Sequence, residues 1–178
     1  MFIIKVFLMH KKLLLIIILL ISHAIFADNI DIAFSPDKGS LDLVVKSINS
    51  AQKSICMATY SFTSKPVAEA LIHAKGRGVD IKIVSDAKAN GSKYTATKFL
   101  ANHGVNVRLN GNYPIMHNKF IVIDDKTVET GSFNYSQAAA AKNAENVIVI
   151  WNNSTVASKY ASECNRLFNE ATPLDKSY

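Results

Sequence analysis

The stretch His117-Asn118-Lys119, followed by Asp124 and then by Gly131-Ser132-Phe133-Asn134, has the form H-x-K-x4-D-x6-G-S-x-N. An imidazole can attack an electrophile or carry a proton. Beside it stand an ammonium, a hydroxyl and an amide, all hydrogen-bond donors. Such a set suits a tetrahedral oxyanion. A lone H-x-K is usually a solvated strand face, whereas the whole spacing is a far more specific signal. In an extended strand alternate side chains share a face, so a strand over 117–124 sends His117 and Lys119 to one side. Phe120 and Val122 then point the other way, as the wall of a core. Asp124 shares their parity at the strand end, better placed to fix a turn or an ion pair than to touch substrate. Gly131 lets the backbone come close, and Ser132 and Asn134 add neutral donors.

The elements that must position these residues alternate between strand and helix. Short strands are expected at 30–34, 54–62 (SICMATYSF), 80–85 (DIKIVS) and 106–109, with a further buried strand at 145–151 (ENVIVIW). Segments 117–124 and 127–130 read as a hairpin turning at Asp124-Asp125-Lys126. Ser40 is placed to cap a helix with Leu41, Val44, Val45 and Ile48 on one face. Ser64 caps a second, with Pro66 in its first turn and Gly76 and Gly78 at its end. Helices are also expected at 94–103 and 155–169. This order implies one α/β domain, a mixed, largely parallel sheet flanked by helices.

The first 27 residues are of a different character. Lys11 and Lys12 precede nine consecutive apolar residues (13–21), and Ala24 and Ala27 follow. A basic start, a short apolar run and small residues at its end describe a secretory signal peptide, cut after Ala27 or after Ala24. The alternative is an uncleaved N-terminal anchor, although the run is short for a spanning helix. The chain of 178 residues carries a formal charge of +6, which hints at an anionic partner. The leader holds three lysines and no acid, so residues 28–178 keep 17 basic and 14 acidic side chains, a formal +3. Export to the periplasm or beyond the cell would let Cys56 and Cys164 pair, the other reading being two buried thiols. With 49% hydrophobic and 19% charged residues, disorder is excluded.

The H-x-K-x4-D pattern and its downstream G-S-x-N resemble the phospholipase D superfamily. Segments YSFTS (60–64), GVDIKIV (78–84), VETGSFNYS (128–136) and ENVIVIW (145–151) look closest to its small secreted bacterial endonucleases, which carry one motif per chain. The resemblance implies a phospholipase D-like catalytic domain over 28–178 and phosphodiester hydrolysis through a phosphohistidine. It implies His117 as nucleophile, Lys119 and Asn134 as phosphate ligands, and Ser132 as a hydrogen-bonding support beside the phosphate. Glu145 matches the family's downstream acid, which orients the histidine, and Asp124 matches the motif's aspartate.

Such chemistry needs a second, protonated histidine for the leaving oxygen. Beyond the leader the chain holds only His73, His103 and His117. His73 is expected to face solvent or a partner, and His103 ends a helix. His73 has Lys75 and Asp80 at the same spacing, but it sits in a helix, where residues two apart do not share a face, and no G-S-x-N follows; His103 has no such lysine, so a two-fold homodimer sharing one site is expected. No metal and no cofactor are expected, because Lys119 fills the role of a cation. A nucleic acid substrate is favoured, with Lys88, Lys93, Lys98 and Arg108 along a backbone or merely solvated. Tyr94, Tyr113 and Tyr135 are expected to stack on bases. The alternative is a phospholipase acting on lipids such as phosphatidylcholine, for which the loop 109–116 (LNGNYPIM) is the only mixed candidate entrance. A non-catalytic module that binds nucleic acid or lipid is a minor third reading.

Overall fold

A computed structural model describes residues 29–36, 39–92 and 95–175. The leader and its cleavage sites, Lys93 and Tyr94 lie outside the described residues. Eight strands form one sheet: β1 (Asn29–Ser35), β2 (Ser54–Thr59), β3 (Asp80–Asp86), β4 (Asn106–Asn110), β5 (Lys119–Ile123), β6 (Thr127–Gly131), β7 (Glu145–Trp151) and β8 (Thr172–Pro173). The helices are α1 (Gly39–Asn49), α2 (Lys65–Gly76), α3 (Ala87–Asn90), α4 (Ala96–Asn102), α5 (Gln137–Ala141) and α6 (Ser154–Asn169). The strand order is β1-β7-β6-β5-β2-β3-β4-β8.

The sheet is mixed, as expected, but the parallel share is narrower than the βαβ pattern suggests. Only β2-β3 and β3-β4 pair in parallel, each joined through helices that cross back over the sheet. The β5-β6 and β6-β7 pairs are antiparallel, and so are the β1-β7, β2-β5 and β4-β8 pairs. The β5-β6 connection is a three-residue turn, Asp124-Asp125-Lys126, with Lys126 N–H donating to the Ile123 carbonyl at 3.1 Å. Asp124 and Asp125 both have φ 53°, the left-handed pair that matches the twist of a tight hairpin.

Both faces of the sheet are buried at its centre. On one, Ile55, Met57, Ile81, Ile83, Ile121, Ile123, Val147 and Val149 meet α1, α2 and α4. On the other, Ala58, Val84, Phe120, Val122 and Val128 meet α6. This is why β5 reads as a continuous apolar run rather than an alternation. A disulfide joins Cys56 of β2 to Cys164 of α6, pinning that helix across the sheet.

Local signals account for most helix starts. The Ser64 hydroxyl accepts from Val67 N–H ahead of Pro66, and Thr95, Ser136 and Asn153 cap α4, α5 and α6 in the same way. Ser40 is a correction: α1 already begins at Gly39, and the buried Ser40 hydroxyl has no hydrogen-bond partner among the described residues. Strand β5 is also shorter than expected. It starts at Lys119, opposite Thr59, the last residue of β2, so His117 precedes the ladder.

Candidate active site

The parallel strands β2, β3 and β4 end where β5 and β7 begin and β6 finishes. Ligands of α/β sheets collect at the carboxyl ends of parallel strands. Lys119, Ser132, Asn134 and Glu145 all emerge at this end, and His117 lies just before it on the chain.

Since His117 is not in the ladder, its place depends on tertiary contacts. Asp86, at the end of β3, accepts from Met116 N–H at 2.9 Å and from Ala89 N–H at 2.8 Å, which anchors the loop one residue before His117. The His117 imidazole lies 4.8 Å from the Tyr60 ring, centroid to centroid. Lys119 Nζ donates to the His117 carbonyl at 2.8 Å and stands 5.5 Å from the centre of the same Tyr60 ring. Histidine and lysine thus converge on one aromatic ring, not on one pleat of a strand.

Lys119 is only 8% exposed, yet among the described residues it forms no direct ion pair. Burial pushes its pKa below the ordinary lysine range, and the charge of Glu145 opposes that shift. A buried cation with its carboxylate held off is costly in the free protein and ready for an incoming anion.

Glu145 is gripped from two sides. Ser132 Oγ donates to Oε2 at 2.6 Å, and Asn143 Nδ2 donates to Oε1 at 3.0 Å. Among the described residues the Glu145 oxygens thus accept from these two side chains and not from a His117 ring nitrogen. The carboxylate acts on Lys119 through its charge, while the Tyr60 ring flanks the histidine. Ser132 is likewise engaged: its oxygen accepts from Asn146 N–H at 3.1 Å, so it positions the acid rather than standing free for phosphate. Gly131 permits the approach, because a Cβ there would run into the Asn146 carbonyl. Asn134 differs. Its Oδ1 is buried without a partner, and its amide nitrogen makes no hydrogen bond among the described residues.

Asp124 does not join the cluster. It lies past the opposite end of β5, where its carboxylate accepts from the backbone N–H groups of Gln52, Lys53 and Ser54 at 2.7–3.2 Å. Burial pushes its pKa up, but these bonds from Ser54, Lys53 and Gln52, with the charge of Lys126, outweigh it and leave the carboxyl below its usual range. Asp124 thereby fastens the hairpin to the start of β2.

Several expected contact residues are also structural. Tyr135 is fully buried, so it cannot stack on a base; its hydroxyl donates to Glu129 at 2.7 Å. Arg108 donates to the Phe168 carbonyl at 3.1 Å and lies over that ring. The Tyr113 hydroxyl accepts from Arg166 at 2.8 Å. Lys88 and Lys98 reach the carbonyls of Pro114 and Asp175. His73 and His103 are exposed near the C-terminal ends of α2 and α4, and those helices start at the site end of the sheet and run away from it. Among the described residues no cluster of three metal-ligating side chains gathers.

Sequence reasoning did not single out Tyr60, Asp86 or Asn90. The buried Asn90 amide donates to the Tyr60 carbonyl and, at 3.0 Å, to the Asp86 carbonyl, and its oxygen accepts from Phe62 N–H at 3.1 Å. Their roles depend on neighbours distant in the chain. Only the boundary of an apolar strand at Tyr60 hints at any of them.

Residues 44–168 match the family described as "Cardiolipin synthase, PLD-like domain". The chain belongs to this phospholipase D-like family. It is similar to Nuc, a phospholipase D family member from Salmonella typhimurium, with 40% identity and a TM-score of 0.81 over 84% of this chain and 99% of that one. NucT from Helicobacter pylori superposes with a TM-score of 0.76 at 26% identity, over 82% and 99% of the two chains. A Rickettsia typhi protein named "Phospholipase D" is 38% identical over 122 residues, 68% of this chain. The alignment spans about 60% of the length of that curated relative.

Proposed function

We propose that this protein hydrolyses phosphodiesters through a phosphohistidine, as an endonuclease on DNA or RNA. The observation that carries this reading is the buried, unpaired Lys119 beside an exposed His117 at the carboxyl end of the sheet. A neutral His117 ring nitrogen attacks phosphorus, the N–P bond forms, and the P–O bond to the leaving group breaks. Lys119 and the unengaged Asn134 amide meet the non-bridging oxygens. The leaving oxygen takes a proton from a second histidine. That histidine then deprotonates a water, which displaces His117 and restores it. Lys119 supplies the positive charge, so the reaction is proposed to run without metal or cofactor.

The second histidine is proposed to come from a second copy. An apolar strip on β1, with Ile30 46%, Ile32 61% and Phe34 64% exposed, supports such a contact. It continues across Ile148 and Ile150 of β7, on the face that α6 covers from β2 to β6. The strip runs up to Ser35, paired with Glu145, so two copies meeting there would carry their sites together. Export and cleavage of residues 1–27 belong to the same proposal, and the Cys56–Cys164 disulfide suits an oxidising compartment.

The nucleic acid reading is supported by the resemblance to small secreted endonucleases and by coverage of nearly all of Nuc, against 60% of the protein named phospholipase D. The lipid reading keeps one specific observation, the exposed Ile115 two residues before His117. The test is to incubate the purified protein with plasmid DNA, RNA and phosphatidylcholine vesicles, each in chelator. Cleavage of nucleic acid alone is expected. Cleavage of vesicles alone would establish the lipid reading, and activity only after magnesium is restored would overturn the mechanism. A fully active monomer at assay concentration would remove the shared site.

A further inference from the structure

Tyr60 stands beside both groups to which the chemistry is assigned, and its backbone is anchored by a buried side chain. Its carbonyl is fixed by the buried Asn90, and the next strand-like step, Phe62 N–H, is fixed by the same amide. Its ring is half-buried, and among the described residues its hydroxyl makes no hydrogen bond, so the phenol is not spent on the fold. The ring stands 4.8 Å from the His117 imidazole at 60°, and 5.5 Å from Lys119 Nζ. That second distance lies within the reach of about 6 Å at which an aromatic face attracts a cation.

Two demands of the site meet at this face. Lys119 must stay protonated although it is buried and has no direct ion pair. The His117 ring must gain positive charge when its nitrogen bonds phosphorus. A fixed negative ring face beside both favours the charged forms, and its effect on His117 grows only as the N–P bond forms. An interaction stronger in the transition state than before it raises the rate of the chemical step.

We infer that Tyr60 is a positioning residue of this site, acting through the face of its ring to orient His117 and to stabilise positive charge on His117 and Lys119. This rests on the phosphohistidine reading above. The P–O bond broken and the N–P bond formed are the same as there; Tyr60 gives and takes no proton.

The experiment compares kcat/KM across pH for the full chain bearing Tyr60→Phe, Tyr60→Leu and a series of progressively fluorinated phenylalanines at position 60. Fluorination drains the ring face while keeping its shape, so the series reads the ring's electrostatics apart from any packing change in Tyr60→Leu. Tyr60→Phe is expected to stay within about twofold of the parent at every pH. Tyr60→Leu is expected to lose about five- to thirtyfold, the range of a partly desolvated cation–π contact. Its alkaline limb should move to lower pH, because Lys119 gives up its proton more easily. The fluorinated series should fall stepwise, with the limb moving in step. A flat fluorinated series, or a uniform loss with unmoved limbs, would overturn the inference. So would a Tyr60→Phe loss as large as that of Tyr60→Leu, since the hydroxyl would then be the acting group. The His117→Ala variant separates the two failures: if it keeps its activity, the underlying reading fails, whereas an inactive His117→Ala beside an indifferent position 60 sinks only the role of Tyr60.

Discussion

The two ends of β5 carry two letters of one motif and do opposite things with charge. At the Lys119 end the ammonium is buried, holds one carbonyl and has its nearest acid held away by Ser132 and Asn143. At the Asp124 end every hydrogen bond is made: three backbone N–H groups converge on one carboxylate. A satisfied charge locks structure, and an unsatisfied one is available to a ligand. The lesson is that spacing marks both residues as special, while hydrogen-bond completeness tells which of them can do chemistry.

The sharpest way to break this contrast is at the chemical end. His117→Ala is expected to lower kcat/KM by about a thousandfold or more, since the proposed nucleophile is gone, with circular dichroism and melting temperature unchanged. Substantial residual turnover in a native-like variant would remove the site from this end.

Next in size is the disulfide, which fastens α6 beneath the strands that carry both ends. Cys56 and Cys164 are 108 residues apart, and closing a loop of that length is worth up to about 4–5 kcal/mol by the chain-entropy account. Reduction, or a double Cys→Ala variant, should lower the denaturation midpoint accordingly. A midpoint that does not move would mean α6 is held by packing alone.

At the structural end, Asp124→Ala is expected to cost about 1–3 kcal/mol of stability, because three backbone donors lose their acceptor. The activity of the folded fraction should stay within a few-fold of the parent. The sign of the pH dependence follows from the lowered pKa. This stabilisation is present above the unfolded carboxyl range near 4 and is lost as pH falls through the folded value. A fully folded variant with activity reduced a hundredfold would merge the two ends into one function.

The smallest effect, read as a slope per pH unit, belongs to Glu129, a third charge-bearing side chain on the neighbouring β6. It is 1% exposed and accepts from Tyr135 Oη, and burial raises its pKa to about 8, the tyrosine bond opposing. The folded form therefore holds its proton between about pH 4.5 and 8 while the unfolded chain releases it. Stability falls through that window by at most about 1.4 kcal/mol per pH unit and levels off above it. Glu129→Gln keeps an acceptor for Tyr135 and should flatten the slope in denaturant titrations at pH 5, 7 and 9. An unchanged slope would locate the titration elsewhere.

Much of the fold was legible in the chain. Ser64 before Pro66 marks α2, the apolar runs mark β2, β3, β5 and β7, and Asp124-Asp125 marks the hairpin. Each is a local signal read within one turn or one strand. Parity alone misplaced His117, because the strand's start is set by where β2 ends. Parity also said nothing of whether Tyr135 faces water or the core. The short α3 and α5 and the two-residue β8 have too few residues to show a period.

By itself the sequence determined the chemistry available: which residue types stand at which spacing, and that only His117 heads both an H-x-K-x4-D and a downstream G-S-x-N. It also determined the alternating element order, since periodicity and caps act between near neighbours. Only the tertiary structure decided which groups are spent and which are free. Asp86 and Asn90 set the loop and the Tyr60 backbone, Tyr60 gathers His117 and Lys119, Ser132 holds Glu145 back, and Asp124 disappears into three backbone bonds. Those outcomes depend on hydrogen bonds and burial between residues far apart in the chain, which no local pattern encodes.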